Sequence, residues 1–334
     1  MEETVARDKE IDIEGENMNV VVVGSLNMDV FIPVDTYPGS GETVKGGNAK
    51  YLPGGKGANQ ALAAARQGAN VTMVGMVGAD ANGEALRASL EADGVNCSLV
   101  QTFDGPTGIA FVHLEKDGSN RIILSSGAND AFLPDRAEAY KDLVAHADAV
   151  LFQLEIPIET VGMLVRVAME AGVPTYLDPA PARSDVFTHI PKVDWITPNE
   201  HEAQLLTGIK VVDATSARLA CAKLQQLGAK RVLLKVGSQG TYVADENGLF
   251  YQPGIAVPVV DTTAAGDAFT AAFVVEYLRG ESVYGAARMA CAAGALAVTR
   301  LGAQPSLPYR DEVVGFLETV DAALSSKTET TPRE

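Results

Sequence analysis

The stretch "DTTAAGDAFTAAF" at residues 261–273 places a small-residue turn and one aspartate before an apolar run that predicts a helix. Ala264, Ala265 and Gly266 let the backbone approach a bound group, and the unpaired N–H groups of a helix start attract anions. A carboxylate at Asp267 does not suit an anion site by itself. It suits a second reactant whose hydroxyl gives up a proton while the N–H groups hold a phosphoryl oxygen. The pattern therefore favours phosphoryl transfer.

Two other polar segments are candidate ligand contacts. "GGKGAN" at 54–59 is a tight glycine turn before a helix, with Lys56 and Asn59 as polar groups. "GSLNMD" at 24–29 places Asn27 and Asp29 after a strand, at the end where open α/β sheets bind ligands. Ordinary turn and capping chemistry explains each segment equally well when it is taken alone.

Two common nucleotide motifs are missing. In "GGKGAN", Gly57 stands where a P-loop needs Ser or Thr for magnesium. The first strand continues as "VVVVGSLNMD", without the G-x-G-x-x-G of dinucleotide-binding folds. A P-loop enzyme is thus excluded, and a nicotinamide dehydrogenase is disfavoured.

The predicted elements that position these residues alternate between strands and helices. Short β-branched runs such as "VVVVG" at 20–24 predict strands buried on both faces, and helical patterns follow them. This predicts an α/β fold, Rossmann-like, with a mostly parallel sheet covered on both faces. Two segments interrupt it, near 30–53 and 107–124. They form either a small β-sheet lid over the site or two ordinary surface hairpins.

Composition limits the class of protein. The 334 residues are 47% hydrophobic and carry a formal net charge of −17, which fits a globular enzyme and disfavours nucleic acid or an anionic membrane as a partner. Three separated cysteines favour a reducing compartment, so a cytoplasmic location is predicted. We predict an acidic extension at 1–18, one kinase-like α/β domain at 19–322 and a disordered tail at 323–334.

The ordered motifs "GSLNMD", "GGKGANQA", "DPAPAR", "TPNEHEAQLLTG" and "DTTAAGDAF" resemble the PfkB, or ribokinase-like, family of sugar and nucleoside kinases. The resemblance extends from about residue 19 to about residue 320. It implies the doubly covered α/β fold, a β lid that closes over the sugar, and a homodimer formed through that lid. Within the family, "GGKGAN", "GSLNMD" and "PAPAR" favour D-ribose, phosphorylated by ATP at its 5-hydroxyl.

The resemblance also implies roles for individual residues. Asp267 would be the general base, and Ala264, Ala265 and Gly266 would form the anion hole. The implied substrate-binding residues are Asn27, Asp29, Gly55, Lys56, Gly57, Ala58, Asn59, Glu155 and Asp267. The implied ATP-binding residues are Asn199, Glu202, Lys235, Gly237, Gly240, Gly266 and Cys291, with Mg²⁺ held near Asn199 and Glu202 through water. Lys235 departs from the threonine that is frequent in the family, so its contact with phosphate or solvent is left open.

A monovalent cation, K⁺, is a further implication of the resemblance. The matching positions are Asp261, Thr263, Ala297, Arg300, Gly302 and Ser306. Without the resemblance, a capping Asp261 and an ordinary loop would be preferred. Two alternatives to ribose phosphorylation also stay open: a kinase of another sugar or a nucleoside, and a non-catalytic sugar-binding regulatory protein.

Overall fold

The computed structural model of the protein describes residues 18–114 and 120–329. The strands in these residues are β1 (Asn19–Val23), β2 (Asn27–Pro33), β3 (Lys50–Gly54), β4 (Asn70–Gly78), β5 (Val100–Phe103), β6 (Gly108–Leu114), β7 (Asn120–Ser125), β8 (Ala149–Phe152), β9 (Thr175–Leu177), β10 (Val193–Ile196), β11 (Ala229–Lys235), β12 (Gly240–Asp245) and β13 (Gly248–Pro253). The α-helices are α1 (Lys56–Arg66), α2 (Ala81–Ala92), α3 (Pro134–Ala137), α4 (Lys141–Ala145), α5 (Ile158–Glu170), α6 (Val186–His189), α7 (Glu200–Thr207), α8 (Ala214–Leu227), α9 (Ala265–Leu278), α10 (Val283–Ala297) and α11 (Arg310–Glu329).

Nine strands form one large sheet in the order β13-β12-β11-β10-β9-β8-β1-β4-β5. The pairs from β11 through β5 are parallel, and only β12 and β13 join in antiparallel fashion. Parallel neighbours bring the carboxyl ends of β1, β9, β10 and β11 to one edge of the sheet. Polar residues that follow these strands are therefore close in space.

Helices cover both faces of the large sheet. Along β1, Val20 and Val22 pack in a core with α1, α9 and α10, whereas Val21 and Val23 pack in a second core with α5 and α8. Successive side chains of a strand point to opposite faces, so a continuous apolar run supplies both cores. The predicted doubly covered, mostly parallel α/β fold is confirmed.

A second, small sheet has the order β3-β2-β6-β7. Its central pair, β2 and β6, is parallel, and β3 and β7 add to it in antiparallel fashion. The segments near 30–53 and 107–124 thus pair with each other instead of forming two separate hairpins. The turn of the predicted hairpin at 107–124 falls on residues 115–119, outside the described residues.

The chain termini differ in part from the prediction. The acidic extension falls on residues 1–17, outside the described residues, and so does the end of the chain after Glu329. The predicted disordered tail at 323–334 is wrong for residues 323–329, because α11 continues to Glu329. Its polarity suggested disorder, but Ala322, Ala323 and Leu324, just before the polar run that begins at Ser325, are strong helix formers. An ion pair between Arg288 and Asp321 also ties α11 to α10.

Residues 134–146 have a helical sequence pattern, but they do not form one continuous helix. The structure has α3 and α4 with a 3-10 turn at Glu138–Tyr140 between them. The turn directs the Tyr140 hydroxyl to Leu99 O at 3.0 Å and to the side-chain amide of Gln101 at 2.8 Å. These bonds to the β5 region compete with a regular helix.

The helices given above lie in residues 18–114 and 120–329. None of these helices combines the length and the apolar character that a membrane span requires.

Candidate active site

The N-terminus of α9 has an unusual backbone. Its N-cap residue, Ala264, has φ 60° and ψ 6°, and among the described residues it is the only non-glycine with positive φ. Such a conformation costs energy and clusters at functional sites. Within the described chain no side chain caps this helix. Ala265 N donates a long hydrogen bond to Thr262 O at 3.4 Å, whereas the N–H groups of Gly266 and Asp267, in the first turn, stay available to an anion. The predicted anion-hole residues all line one cleft.

Asp267 lies in the first turn of α9 and is 4% exposed. Its Oδ2 accepts a hydrogen bond from Asn59 Nδ2 at 3.0 Å, and its Oδ1 accepts one from Gln60 Nε2 at 3.0 Å. Burial raises the pKa of Asp267 above the ordinary carboxyl range, although the charge of Lys56 opposes this shift. A raised pKa makes the carboxylate a stronger base, as proton abstraction from a hydroxyl requires.

Gln60 supports Asp267 and joins it to Asp178, and neither Gln60 nor Asp178 was predicted as a site residue. Gln60 Nε2 also donates to Asp178 Oδ2 at 3.1 Å, and its Oε1 accepts from Gln153 Nε2 at 2.6 Å. Asp178 is 2% exposed and follows β9 directly. The strand-end argument that selected Asn27 and Asp29 applies equally to Asp178.

The predicted sugar contacts converge beside Asp267. Asn27 and Asp29 come from β2, Lys56 and Asn59 from α1, and Glu155 follows β8, and all line the cleft. Asp29 is 6% exposed, and no group in the described chain donates a hydrogen bond to its carboxylate. Asn59 Oδ1 is likewise buried without a partner among the described residues. Unpaired buried acceptors that face a cleft are satisfied by hydrogen-bond donors from water or from a bound ligand, and sugar hydroxyls are such donors.

Glycines let the backbone approach these side chains. A Cβ at Gly54 would lie 2.2 Å from Asp29 Oδ2, and Gly55 has φ 91°, which favours glycine. Gly55 lines the cleft as predicted. Gly57 and Ala58 do not: their N–H groups contact Ser25 Oγ at 3.3 Å and Ser25 O at 2.9 Å, and both residues are buried against the turn after β1. Both residues pack against that turn, and their predicted substrate contact stays a prediction.

Two buried side chains orient Glu155 and Asn27 and were also missed. Ser25 Oγ donates to Glu155 Oε2 at 2.5 Å, and the same oxygen accepts from Asn27 Nδ2 and the Lys56 backbone N at 3.1 Å each. Asn129 Nδ2 donates to Asn27 Oδ1 at 2.8 Å. Asn129 lies in the turn after β7, where its residue type alone carries no signal.

Charge is concentrated at the end of the cleft that Asp29, Lys56 and Glu155 line. Burial, followed by the charges of Glu155 and Asp267, raises the pKa of Asp29 to about 7. Burial opposes the charge of Lys56, but Asp267, Asp178 and Glu155 together hold the pKa of Lys56 above its ordinary value. At neutral pH Lys56 is therefore a fixed cation, and Asp29 is close to its titration point.

The raised pKa of Asp29 predicts a stability effect. A pKa that is higher in the folded protein gives stability that is complete below the unfolded value of 3.8 and is lost as the pH rises through about 7. We therefore expect Asp29→Asn to be more stable than the wild type at pH 8, by roughly 1–3 kcal/mol, because it removes a buried charge. Denaturant melts at pH 8 and pH 4.5 test this. An Asn variant that is less stable at pH 8 would contradict it.

The other end of the cleft contains the predicted ATP contacts. Asn199 and Glu202 form a capping box at the start of α7: Asn199 N donates to Glu202 Oε2 at 2.7 Å, and Glu202 N donates to Asn199 Oδ1 at 2.8 Å. Gly237 and Gly240 follow β11 and line the cleft. Burial raises the thiol pKa of Cys291 to about 12, so this residue supplies an apolar wall.

Of the residues predicted to bind K⁺, Asp261, Thr263 and Gly302 are joined by hydrogen bonds. Asp261 Oδ1 accepts from Thr263 N at 3.0 Å and Thr263 Oγ1 at 2.6 Å, and its Oδ2 accepts from Gly302 N at 2.8 Å. Asp261 thus joins the loop before α9 to the loop after α10. Ala297 O accepts from Arg300 N at 3.2 Å, whereas the Arg300 side chain pairs with Glu312 and Ser306 Oγ donates to Ala303 O at 2.7 Å.

The predicted substrate-binding, anion-hole and ATP-binding residues, apart from Gly57 and Ala58, line one cleft of about 840 Å³, and Asp178 and Thr263 line it as well. An anion-binding helix start and a buried carboxylate lie between a hydroxyl-binding end and a glycine-lined end. This arrangement is typical of a small-molecule phosphotransferase.

Comparisons with known proteins agree with this class. Residues 17–310 match the pfkB family carbohydrate kinase model. The ribokinase of Haemophilus influenzae is 37% identical over 300 residues, covering 90% of this chain and 98% of that protein. The ribokinase of Bacillus subtilis is 38% identical over 300 residues, covering 90% of this chain and 99% of that protein. The structure of Arabidopsis thaliana ribokinase complexed with ribose and ATP matches with a TM-score of 0.83 at 36% identity. The match covers 90% of this chain and 99% of that one. The chain belongs to the pfkB family of carbohydrate kinases.

Proposed function

We propose that the protein transfers the γ-phosphoryl group of ATP to the 5-hydroxyl of D-ribose, giving D-ribose 5-phosphate and ADP. The observation that carries this proposal is the position of Asp267, a buried carboxylate in the first turn of a helix that no side chain of the described residues caps. The N–H groups of this turn are proposed to form the anion hole. Relatives named ribokinase, matched over nearly their whole length, support ribose as the acceptor.

In the proposed reaction, Asp267 takes the proton of the 5-hydroxyl as the hydroxyl oxygen forms a bond to the γ-phosphorus. The bond from that phosphorus to the β–γ bridging oxygen breaks, and its electron pair leaves with ADP. The N–H groups of Ala265, Gly266 and Asp267 stabilise the charge of the transferring group. Asp29, Asn59 and Glu155 hold the other sugar hydroxyls, which fixes the 5-hydroxyl beside the base.

Mg²⁺ is proposed to arrive with ATP and to neutralise its phosphates. No cluster of three or more acidic, histidine or cysteine side chains that could hold a metal directly was found in the described part of the chain. Asn199 and Glu202 use their polar atoms on each other in the capping box. This geometry fits contact with Mg²⁺ through its retained water molecules.

The acceptor is tested by measuring ADP release with a panel of D-ribose, 2-deoxyribose, fructose 6-phosphate, adenosine and inosine. We expect turnover with ribose to exceed that with every other acceptor in kcat/KM. Preference for a nucleoside or a phosphorylated hexose would establish the alternative kinase. Absence of ATP turnover with every acceptor, while ribose binds in calorimetry, would establish the non-catalytic alternative.

Activation by K⁺ is proposed from the loops that meet at Asp261. An ion held there, with Asp261, Thr263, Ala297, Arg300, Gly302 and Ser306 as the proposed contacts, would fix the turn that precedes the anion hole. We expect the initial rate to rise several-fold when K⁺ replaces tetramethylammonium at constant ionic strength. Asp261→Ala should reduce this response. Equal rates in the two salts, with trace K⁺ removed, would contradict the site.

A homodimer through the small sheet is proposed as the assembly. The face of this sheet that is turned away from the cleft has a row of apolar side chains, with Tyr51 65%, Phe111 36% and Ile123 51% exposed, next to the buried Val30. Contiguous exposed apolar surface is typical of an association site. We expect light scattering to give a dimer mass, and Ile123→Lys to shift it towards the monomer. A wild-type monomer at micromolar concentration would contradict this assembly.

The opposite face of the small sheet lines the cleft with Ala110, Val112, Ile122 and Leu124. We propose that this face closes over bound sugar as a lid, which would exclude water from the reaction.

The three cysteines are unpaired and buried. Together with ATP as co-substrate, they support a cytoplasmic site of action.

A further inference from the structure

Lys235 projects to the start of α9 from the end of β11. Its side chain is 14% exposed, and a Cβ placed on Gly266 would lie 3.3 Å from Lys235 Nζ. Gly266 is a member of the anion hole. The ammonium group therefore stands beside the N–H groups that receive the transferring phosphoryl group.

Asp178 holds this ammonium group in place. Lys235 Nζ lies 3.2 Å from Asp178 Oδ1, and the other carboxylate oxygen accepts from Gln60 Nε2 at 3.1 Å. The same Gln60 nitrogen donates to Asp267 Oδ1. A free lysine side chain has many rotamers, and a fixed partner reduces the entropy that is lost when it binds a ligand. One hydrogen-bond chain thus links the cation at the anion hole to the catalytic base.

The charged side chains that line the cleft indicate a role for Lys235 in binding phosphate. The ionisable side chains that line the cleft are six carboxylates and two lysines: Asp29, Glu155, Asp178, Glu200, Glu202, Asp267, Lys56 and Lys235. Lys56 is on α1 at the sugar end. Of the described cleft residues, Lys235 alone brings a full positive charge to the glycine-lined end, where carboxylates would otherwise repel a triphosphate.

We propose that Lys235 is a catalytic residue that contacts the transferring γ-phosphoryl group, and that Asp178 and Gln60 are positioning residues for it. The inference rests on the proposed phosphoryl transfer. Lys235 donates hydrogen bonds and keeps its proton throughout. The hydroxyl proton goes to Asp267, the new bond joins the sugar oxygen to the γ-phosphorus, and the electron pair of the broken bond leaves on ADP. Lys235 stabilises the negative charge on the oxygens of that phosphorus.

The test compares Lys235→Met with Lys141→Met, which removes a lysine from a surface ion pair with Glu138. We expect Lys235→Met to lower kcat by about 10²-fold, the usual effect of removing one charge-stabilising donor. Calorimetric ribose affinity should stay within about twofold of wild type, because Asp29 and Asn59 are untouched. Lys141→Met should match wild type. Lys235→Gln, which keeps a donor without the charge, provides the same comparison if the Met variant does not fold.

Nucleotide binding without sugar gives a second measurement. We expect Lys235→Met to weaken binding of the non-hydrolysable analogue AMP-PNP by about tenfold or more, and to weaken ADP binding less. This result is independent of the acceptor sugar. It therefore still tests Lys235 if the wild type proves to act on a sugar other than ribose.

The positioning role of Asp178 is tested by a double-mutant cycle. Asp178→Asn should lower kcat by about tenfold, and adding it to Lys235→Met should cause little further loss, because Asp178 acts through Lys235. Wild-type kcat in Lys235→Met, equal losses of AMP-PNP and ADP affinity, or fully additive losses in the double variant would each overturn the proposal and leave a structural ion pair.

Discussion

Asp267→Asn is expected to lower kcat by about 10²-fold or more, because a general base typically contributes that much. Ribose binding should change little. Asp267 accepts hydrogen bonds from Asn59 and Gln60. An asparagine at position 267 keeps one acceptor oxygen and replaces the other by an NH₂ group. If the side-chain amide of Asn59 rotates by half a turn, this NH₂ group donates to Asn59 Oδ1, which has no partner in the described wild-type chain. Single-turnover kinetics and ribose calorimetry measure the two effects separately.

Asp185→Asn is the matched control, since Asp185 is a half-exposed carboxylate paired with Arg183. It should leave kcat unchanged. If Asp267→Asn reduces ribose affinity as much as kcat, Asp267 positions the sugar and another group is the base.

The pH profile gives a further signature of the same group. Burial raises the pKa of Asp267, and the base acts only when it is deprotonated. The rate of the wild type should therefore fall as the pH drops, with its acid limb above the ordinary carboxyl range. In Asp267→Asn the residual rate should lack that limb.

Asp29→Ala is expected to weaken ribose binding by about 2 kcal/mol or more, which is roughly a 30-fold rise in Kd. The Asp29 carboxylate is buried and has no hydrogen-bond donor in the described chain, so sugar hydroxyls would be its partners. Its pKa of about 7 adds a second effect. Hydroxyl donors favour the ionised form, so binding should release a proton near pH 7 and ribose affinity should rise from pH 6 to pH 8.

Calorimetry in two buffers of different ionisation enthalpy measures that proton release. Asp104→Ala, which removes an exposed carboxylate, should bind ribose as the wild type does. Unchanged ribose affinity in Asp29→Ala would place Asp29 outside the sugar contacts.

Local sequence patterns predicted the main chemical groups of the cleft. Asp267 was found because a carboxylate beside a small-residue helix start needs a second reactant. Asn27 and Asp29 were found because they follow a buried strand. These arguments use neighbours along the chain, where period and turn chemistry are visible.

The supporting residues were missed because their partners are distant in sequence. Gln60 lies 118 and 207 residues from the two carboxylates that it joins, and Asn129 lies 102 residues from Asn27. Periodicity fixes which face a residue takes, but it does not specify which strand ends meet. The contact of Ala58 with the turn after β1 was missed for a similar reason, since only the packing of α1 against that turn shows which side of α1 is covered.

The most direct test of the account is the identity of the product. The protein should be incubated with D-ribose and Mg-ATP, and the phosphorylated sugar analysed by phosphorus-coupled proton NMR. We predict coupling of phosphorus to the two C5 protons, with one ADP formed for each D-ribose 5-phosphate. Phosphate at another carbon, or ADP formed without a phosphorylated sugar, would contradict transfer to the 5-hydroxyl beside Asp267.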